Sequence, residues 1–151
     1  SRGFIFGVPV AYLLHKGFVP VRKKGKLPCE TVSMEYDLEY GSAVIEMHKD
    51  SIKPGQKVVV VEDLVSTGKS SLKAVEAIRA AGCEVVGMVA LFSYGFPVAE
   101  ENFKEAGVKL ITLSNYDTML EVALATDYIT ENYIATLQEW RKDPASWTAS
   151  R

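Results

Sequence analysis

The run Val58-Val59-Val60-Val61-Glu62-Asp63-Leu64-Val65-Ser66-Thr67-Gly68-Lys69-Ser70-Ser71 concentrates the chemistry that this sequence offers. Consecutive β-branched residues predict a strand, adjacent carboxylates follow, and a short loop opens directly into a helix. Ligands of open α/β sheets bind beyond the carboxyl ends of the strands. A helix N-terminus presents free backbone N–H groups and the positive end of its dipole, which suit a phosphate. Gly68 lets the backbone approach an anion closely, while Ser66, Thr67 and Ser70 supply hydroxyl donors. Glu62 and Asp63 would repel a phosphate set directly on them, so they fit sugar hydroxyls or a Mg²⁺ ion instead. A phosphate cup thus stands beside a diol or metal clamp, which is what a ribose 5-phosphate requires.

Other readings of the same residues are weaker. Gly68-Lys69-Ser70 closes the P-loop pattern GxxxxGK[ST], but that pattern needs glycine at position 63, where Asp63 stands. Its carboxylate would lie where nucleotide phosphates belong. A buried strand, polar loop and capped helix without any ligand would account for each feature singly, but less well for their coincidence.

The elements that must position these groups follow from periodicity. Residues Gly3 to His15 predict a helix despite Pro9, and Phe18 to Arg22 a short strand. A basic loop, Lys23 to Pro28, and a long polar stretch lead to a strand over Ala43 to His48. Val58 to Val61 is apolar at every position, the mark of a strand buried on both faces in a parallel sheet. Ser70 to Ala81 is amphipathic, with Leu72, Val75 and Ile78 on one face, and Gly82 ends it. Glu84 to Phe92 predicts another buried strand, Val98 to Ala106 a helix and Val108 to Leu113 a strand. Helices over Asn115 to Ala125 and Thr130 to Trp140 complete the chain. Alternation from Val58 onward makes the fold α/β, with a mostly parallel sheet flanked by helices.

The acidic strand end and its loop resemble the motif that binds 5-phosphoribosyl 1-pyrophosphate (PRPP) in type I phosphoribosyltransferases. Lys69 stands where that family usually has a second glycine. The resemblance implies that Glu62 and Asp63 hold the ribose hydroxyls, and that Ser66, Thr67, Gly68, Lys69 and Ser70 cradle the 5-phosphate. Residues 1–57 resemble adenine phosphoribosyltransferases. Ser1-Arg2-Gly3-Phe4 is similar to the end of that family's pyrophosphate loop, Val21 to Pro28 to its basic segment, and Leu38-Glu39-Tyr40-Gly41 to its flexible catalytic lid. Carried over, Arg2, Arg22, Lys23 and Lys26 contact the pyrophosphate or its loop, Glu39 assists proton transfer at the base, and Tyr40 covers the site. Residues 58–151 resemble orotate phosphoribosyltransferases, through Glu62 to Thr67, Ser93-Tyr94-Gly95-Phe96-Pro97 and Glu139 to Pro144. The orotate family's own lid pattern is absent, so the chain reads as a mosaic. The orotate-like part is the longer, which favours orotate narrowly over adenine.

Each of these residues has a plainer role to weigh against the implied one. A Lys/Arg run is commonly a solvated loop, a lone glutamate a surface charge, and Tyr36 or Tyr40 a packing residue. His15 and His48 have no partners at ligand spacing. Cys29 and Cys83 form no CxxC pair and suit a reducing cytoplasm. Net charge is −2 over 151 residues, which provides no general attraction to nucleic acid, and no run is long and apolar enough for a bilayer. The length suits one domain. Its abrupt apolar start, Phe4-Ile5-Phe6, suggests that upstream sequence with at least one strand is missing, and the resemblance implies an N-terminal hood there as well. The reading is therefore a cytoplasmic, homodimeric, Mg²⁺-assisted enzyme joining a nucleobase to PRPP. A PRPP-binding regulator that performs no turnover is the alternative.

Overall fold

A computed structural model describes residues 2–37, 42–144 and 147. Helix α1 (Phe4–Leu13) precedes three strands, β1 (Arg22–Lys23), β2 (Thr31–Asp37) and β3 (Ser42–His48), which form an antiparallel sheet in the order β1-β3-β2. There follow β4 (Lys57–Val65), α2 (Lys69–Ala80), β5 (Glu84–Ser93), α3 (Pro97–Glu105) and β6 (Leu110–Asn115), then helices α4 (Tyr116–Ala125) and α5 (Glu131–Lys142). Strands β4, β5 and β6 lie side by side and parallel. Each crossover is a helix, because parallel neighbours cannot be joined by a tight turn.

The core sits between this parallel sheet and the helices α2 and α3. Leu72, Val75 and Ile78 of α2 meet Val85, Met88 and Ala90 of β5, with Ala99 and Phe103 of α3 beside them. The apolar face expected for α2 is the buried one, and Val75 is 1% exposed.

The structure differs from the sequence expectations at several points. Phe18 to Arg22 does not form a strand; only Arg22 and Lys23 pair, with Glu46 and Ile45. Pro20 lacks the N–H that a ladder would need there. The polar stretch before β3 contains β2, paired with β3 along its whole length. Its alternation of Val32 and Met34 with Ser33 and Glu35 is the period-two signal of a strand.

Strand β4 is longer than its valine run and is not buried on both faces. Val58 and Val60 pack toward the core, whereas Val59 is 52% exposed. Val86 of β5 is likewise exposed. Helices α2 and α3 cover one face, and α1 approaches the other through Gly3 and Gly7. A Cβ at Gly7 would stand 3.6 Å from Val61 Cβ, and one at Gly3 only 2.8 Å from the Val61 carbonyl oxygen. Small residues thus let α1 lie close against the end of β4.

Candidate active site

Pairing with β5 holds β4 extended through Val65, so the acidic pair lies on ordered strand rather than in the loop beyond it. The Glu62 carboxylate accepts hydrogen bonds from the backbone N–H of Asp63 at 3.0 Å and from the Ser71 hydroxyl at 2.9 Å. Burial pushes the Glu62 carboxyl above the usual glutamate range, and its hydrogen bond with the Asp63 side chain pushes it the same way. That hydrogen bond holds the Asp63 carboxyl below the usual range. The surroundings thus favour the charged form at Asp63 and the neutral form at Glu62.

The loop after β4 turns at Gly68, the N-cap of α2, whose φ of 77° lies in the left-handed region. A Cβ there would stand 2.5 Å from the Phe103 ring, so the missing side chain also makes room for the core. Asn102 of α3 donates its side-chain N–H to the Thr67 carbonyl at 2.8 Å and fixes the loop from below. No side chain caps the start of α2. Its first backbone N–H groups lie beside the exposed Lys69 and Ser70, with the dipole's positive end. An anion placed there would meet N–H donors, hydroxyls and an ammonium, next to a strand end carrying two adjacent carboxyls.

Residues 1–123 match the phosphoribosyl transferase domain family. The chain belongs to that family. Orotate phosphoribosyltransferase of Bacteroides thetaiotaomicron is 54% identical over 145 residues, covering 96% of this chain and 62% of that protein. Adenine phosphoribosyltransferase of Lachnoclostridium phytofermentans is 61% identical over 104 residues, covering 69% of this chain and 60% of that protein. Among solved structures, adenine phosphoribosyltransferase from Thermoanaerobacter pseudethanolicus superposes with a TM-score of 0.70 at 43% identity, covering 77% of this chain and 66% of that one. The chain thus spans about three-fifths of the curated relatives it matches. Relatives of both names match, and the orotate-named protein of Bacteroides thetaiotaomicron spans both the adenine-like and the orotate-like segments.

Within this phosphoribosyl transferase fold, the sequence-predicted residues fall into three groups. Glu62, Asp63, Ser66, Thr67, Gly68, Lys69 and Ser70 surround the end of β4 and the start of α2. Arg2 adjoins them in the backbone, because Gly3 beside it lies against Val61, Glu62 and Asp63. Arg22 is linked to this edge through Phe4, whose ring lies 6.0 Å from the guanidinium carbon. Lys23 and Lys26 sit on an exposed turn of the antiparallel sheet. Glu39 and Tyr40 lie outside the described residues.

The sequence reading overlooked Ser71, Glu46 and Asn102. Ser71 is one turn before Val75 on the inward face of α2, so helical periodicity already placed it toward β4. Glu46 and Asn102 carried no comparable signal, since their partners lie 15 or more residues away in sequence. The orotate-like segments at Ser93–Pro97 and Glu139–Pro144 do meet in space. Tyr94 stacks on Phe96 and touches Trp140, and Arg141 donates to the Gly95 carbonyl at 3.2 Å.

Proposed function

We propose that this chain carries the PRPP site of a nucleobase phosphoribosyltransferase. The observation that supports the reading best is the strand-end pair Glu62 and Asp63 beside the uncapped start of α2. The 5-phosphate docks on the backbone N–H groups after Gly68, with Ser66, Thr67, Lys69 and Ser70 around it. Asp63, the more readily ionised carboxyl, accepts from the ribose hydroxyls together with Glu62. Arg2, Arg22, Lys23 and Lys26 face the pyrophosphate. A nitrogen of the base forms a bond to C1 of the ribose as the C1–oxygen bond to pyrophosphate breaks, giving a nucleoside 5′-monophosphate. Negative charge grows on the leaving group, so preplaced cations stabilise the transition state more than the ground state.

Mg²⁺ would neutralise that pyrophosphate. Among the described residues no cluster of three or more protein ligands exists for it. Two adjacent carboxylates suit an ion that also takes oxygens from PRPP and water. Glu39 on the lid segment would assist the proton at the base, with Tyr40 shielding the site from water.

Orotate is the base favoured, adenine the next. Orotate-named relatives match from 66% to 96% of the chain, against 60% to 74% for the adenine-named ones. Such an enzyme would work in the cytoplasm; no helix among the described residues is long and apolar enough to cross a membrane. We further propose a homodimer. Exposed Tyr12 and Leu13 of α1, Leu14 at its C-cap and Leu113 of β6 offer apolar surface for a second copy.

Calorimetry with PRPP and ATP, each with Mg²⁺, tests the reading. PRPP should bind well and ATP poorly, because Asp63 occupies the place of a P-loop glycine. Tight ATP binding that depends on Lys69, without any response to PRPP, would reverse the assignment.

A further inference from the structure

The basic turn at Lys23–Leu27 holds its shape around one buried acid. Glu46, in the middle of β3, is 6% exposed. Its Oε1 accepts the backbone N–H groups of both Lys26 and Leu27 at 3.0 Å, and its Oε2 accepts the Thr31 hydroxyl at 3.4 Å. Lys24 adds a backbone hydrogen bond to the Val44 carbonyl, and Gly25 takes a left-handed φ of 75°. In the antiparallel register Glu46 stands directly opposite Arg22. Arg22 in turn lies over Phe4, at the start of the helix that backs Glu62 and Asp63. A continuous line of contacts therefore runs from the acidic strand end, through Phe4 and Arg22, to Glu46 and the turn that bears Lys26.

The burial of a carboxylate beneath a Lys-rich turn has a physical consequence. Lys23, Lys24 and Lys26 repel one another, and an isolated turn of this composition would spread in water. A carboxylate bonded to the backbone, rather than to an ammonium, compensates this charge and leaves the lysine side chains free for an anion. Burial raises the Glu46 carboxyl, but backbone hydrogen bonds from Gly25, Leu27 and Lys26 outweigh it, so the group stays ionised below the usual glutamate range.

We propose that Glu46 is a positioning residue for pyrophosphate: it fixes the Lys23–Leu27 turn so that Arg22 and Lys26 present their charges to the leaving group. This rests on the reading above, in which the basic segment binds the pyrophosphate end of PRPP.

The test compares Mg²⁺-pyrophosphate with ribose 5-phosphate as calorimetric probes of the two ends of the site. Glu46→Ala should lower pyrophosphate affinity roughly tenfold, the scale of a lost charge-assisted hydrogen bond, and leave ribose 5-phosphate within about twofold. Glu46→Gln keeps an Oε1 acceptor for both N–H groups and should restore most of the pyrophosphate affinity. If the alanine variant does not fold, Glu46→Asp, one methylene too short to reach the turn, should show the same split between the two probes. Parallel weakening of both probes would mark a general structural role and overturn the proposal. So would unchanged pyrophosphate affinity in Glu46→Ala while Arg22→Ala weakens it, and in that case the basic-segment reading would survive. Pyrophosphate affinity indifferent to both Arg22→Ala and Lys26→Ala would remove that reading, and this inference with it.

Discussion

At the scale of single residues, the two carboxyls at the end of β4 are chemically unequal despite being neighbours. Glu62 is held by the Asp63 N–H and the Ser71 hydroxyl in a partly buried position, and its pKa is raised; that of Asp63 is lowered. Glutamine resembles the neutral form toward which burial pushes Glu62, whereas asparagine removes the charge that its surroundings favour on Asp63. Asp63→Asn should therefore weaken PRPP binding roughly tenfold or more, and Glu62→Gln clearly less. Calorimetry giving the reverse order would reject these roles. Linkage supplies a second readout. The folded protein binds the Glu62 proton more tightly than the unfolded chain, so this group stabilises the fold at low pH and loses that contribution as pH rises through its raised value. Glu62→Gln should accordingly raise the melting temperature of the unliganded protein at pH 8 more than at pH 5. The carboxylate pair was legible in the sequence because its members are adjacent and end a valine run. Their inequality was not, because it depends chiefly on how far the fold buries Glu62, which no local pattern reveals.

At the scale of elements, the phosphate loop depends on its supports. Gly68 requires a left-handed φ and adjoins the Phe103 ring, so Gly68→Ala adds backbone strain and a close contact together. A residue forced into such a conformation costs about 1–3 kcal/mol, which thermal melting should register along with a loss of ribose 5-phosphate affinity. Asn102→Ala leaves the Thr67 carbonyl without its amide donor, a cost of about 1–3 kcal/mol if the carbonyl stays buried. Affinity for ribose 5-phosphate should fall several-fold in that variant. Equal affinity would show that the loop holds its form without α3. The start of α2 and its inward face followed from the helical period. The anchoring of the loop by Asn102 did not, because nothing local to residue 102 distinguishes it from a surface asparagine.

At the scale of the whole molecule, base choice is the open functional variable. Orotate is an anion and calls for a cation or N–H donors, whereas adenine is neutral and calls for an apolar slot with edge acceptors. An unpaired buried polar group costs about 1–3 kcal/mol, so one site serves both bases poorly. Incubation with PRPP, Mg²⁺ and each base in turn should yield orotidine monophosphate in preference to adenosine monophosphate. Adenosine monophosphate alone would overturn the preference. The segments around Tyr94 and Trp140, separated by more than 40 residues, pack into one aromatic cluster at the carboxyl end of β5. That cluster borders the strand bearing the acidic pair, since the Tyr94 N–H bonds to the Val65 carbonyl at 3.1 Å.

By itself the sequence determined the α/β class, the α2 face, and the strand-end motif. These are local patterns, in which periodicity and adjacency already express the physics. Tertiary structure decided which face of β4 is covered, since Val58 and Val59 are chemically identical and only the placement of α1, α2 and α3 separates them. It also buried Glu62 more deeply than Asp63, which sets their acidities apart, and it revealed Glu46 beneath the basic turn. A carboxylate's role is set by the donors it meets. For Glu46 those donors arrive from a turn about 20 residues upstream, brought there by the β1–β3 pairing.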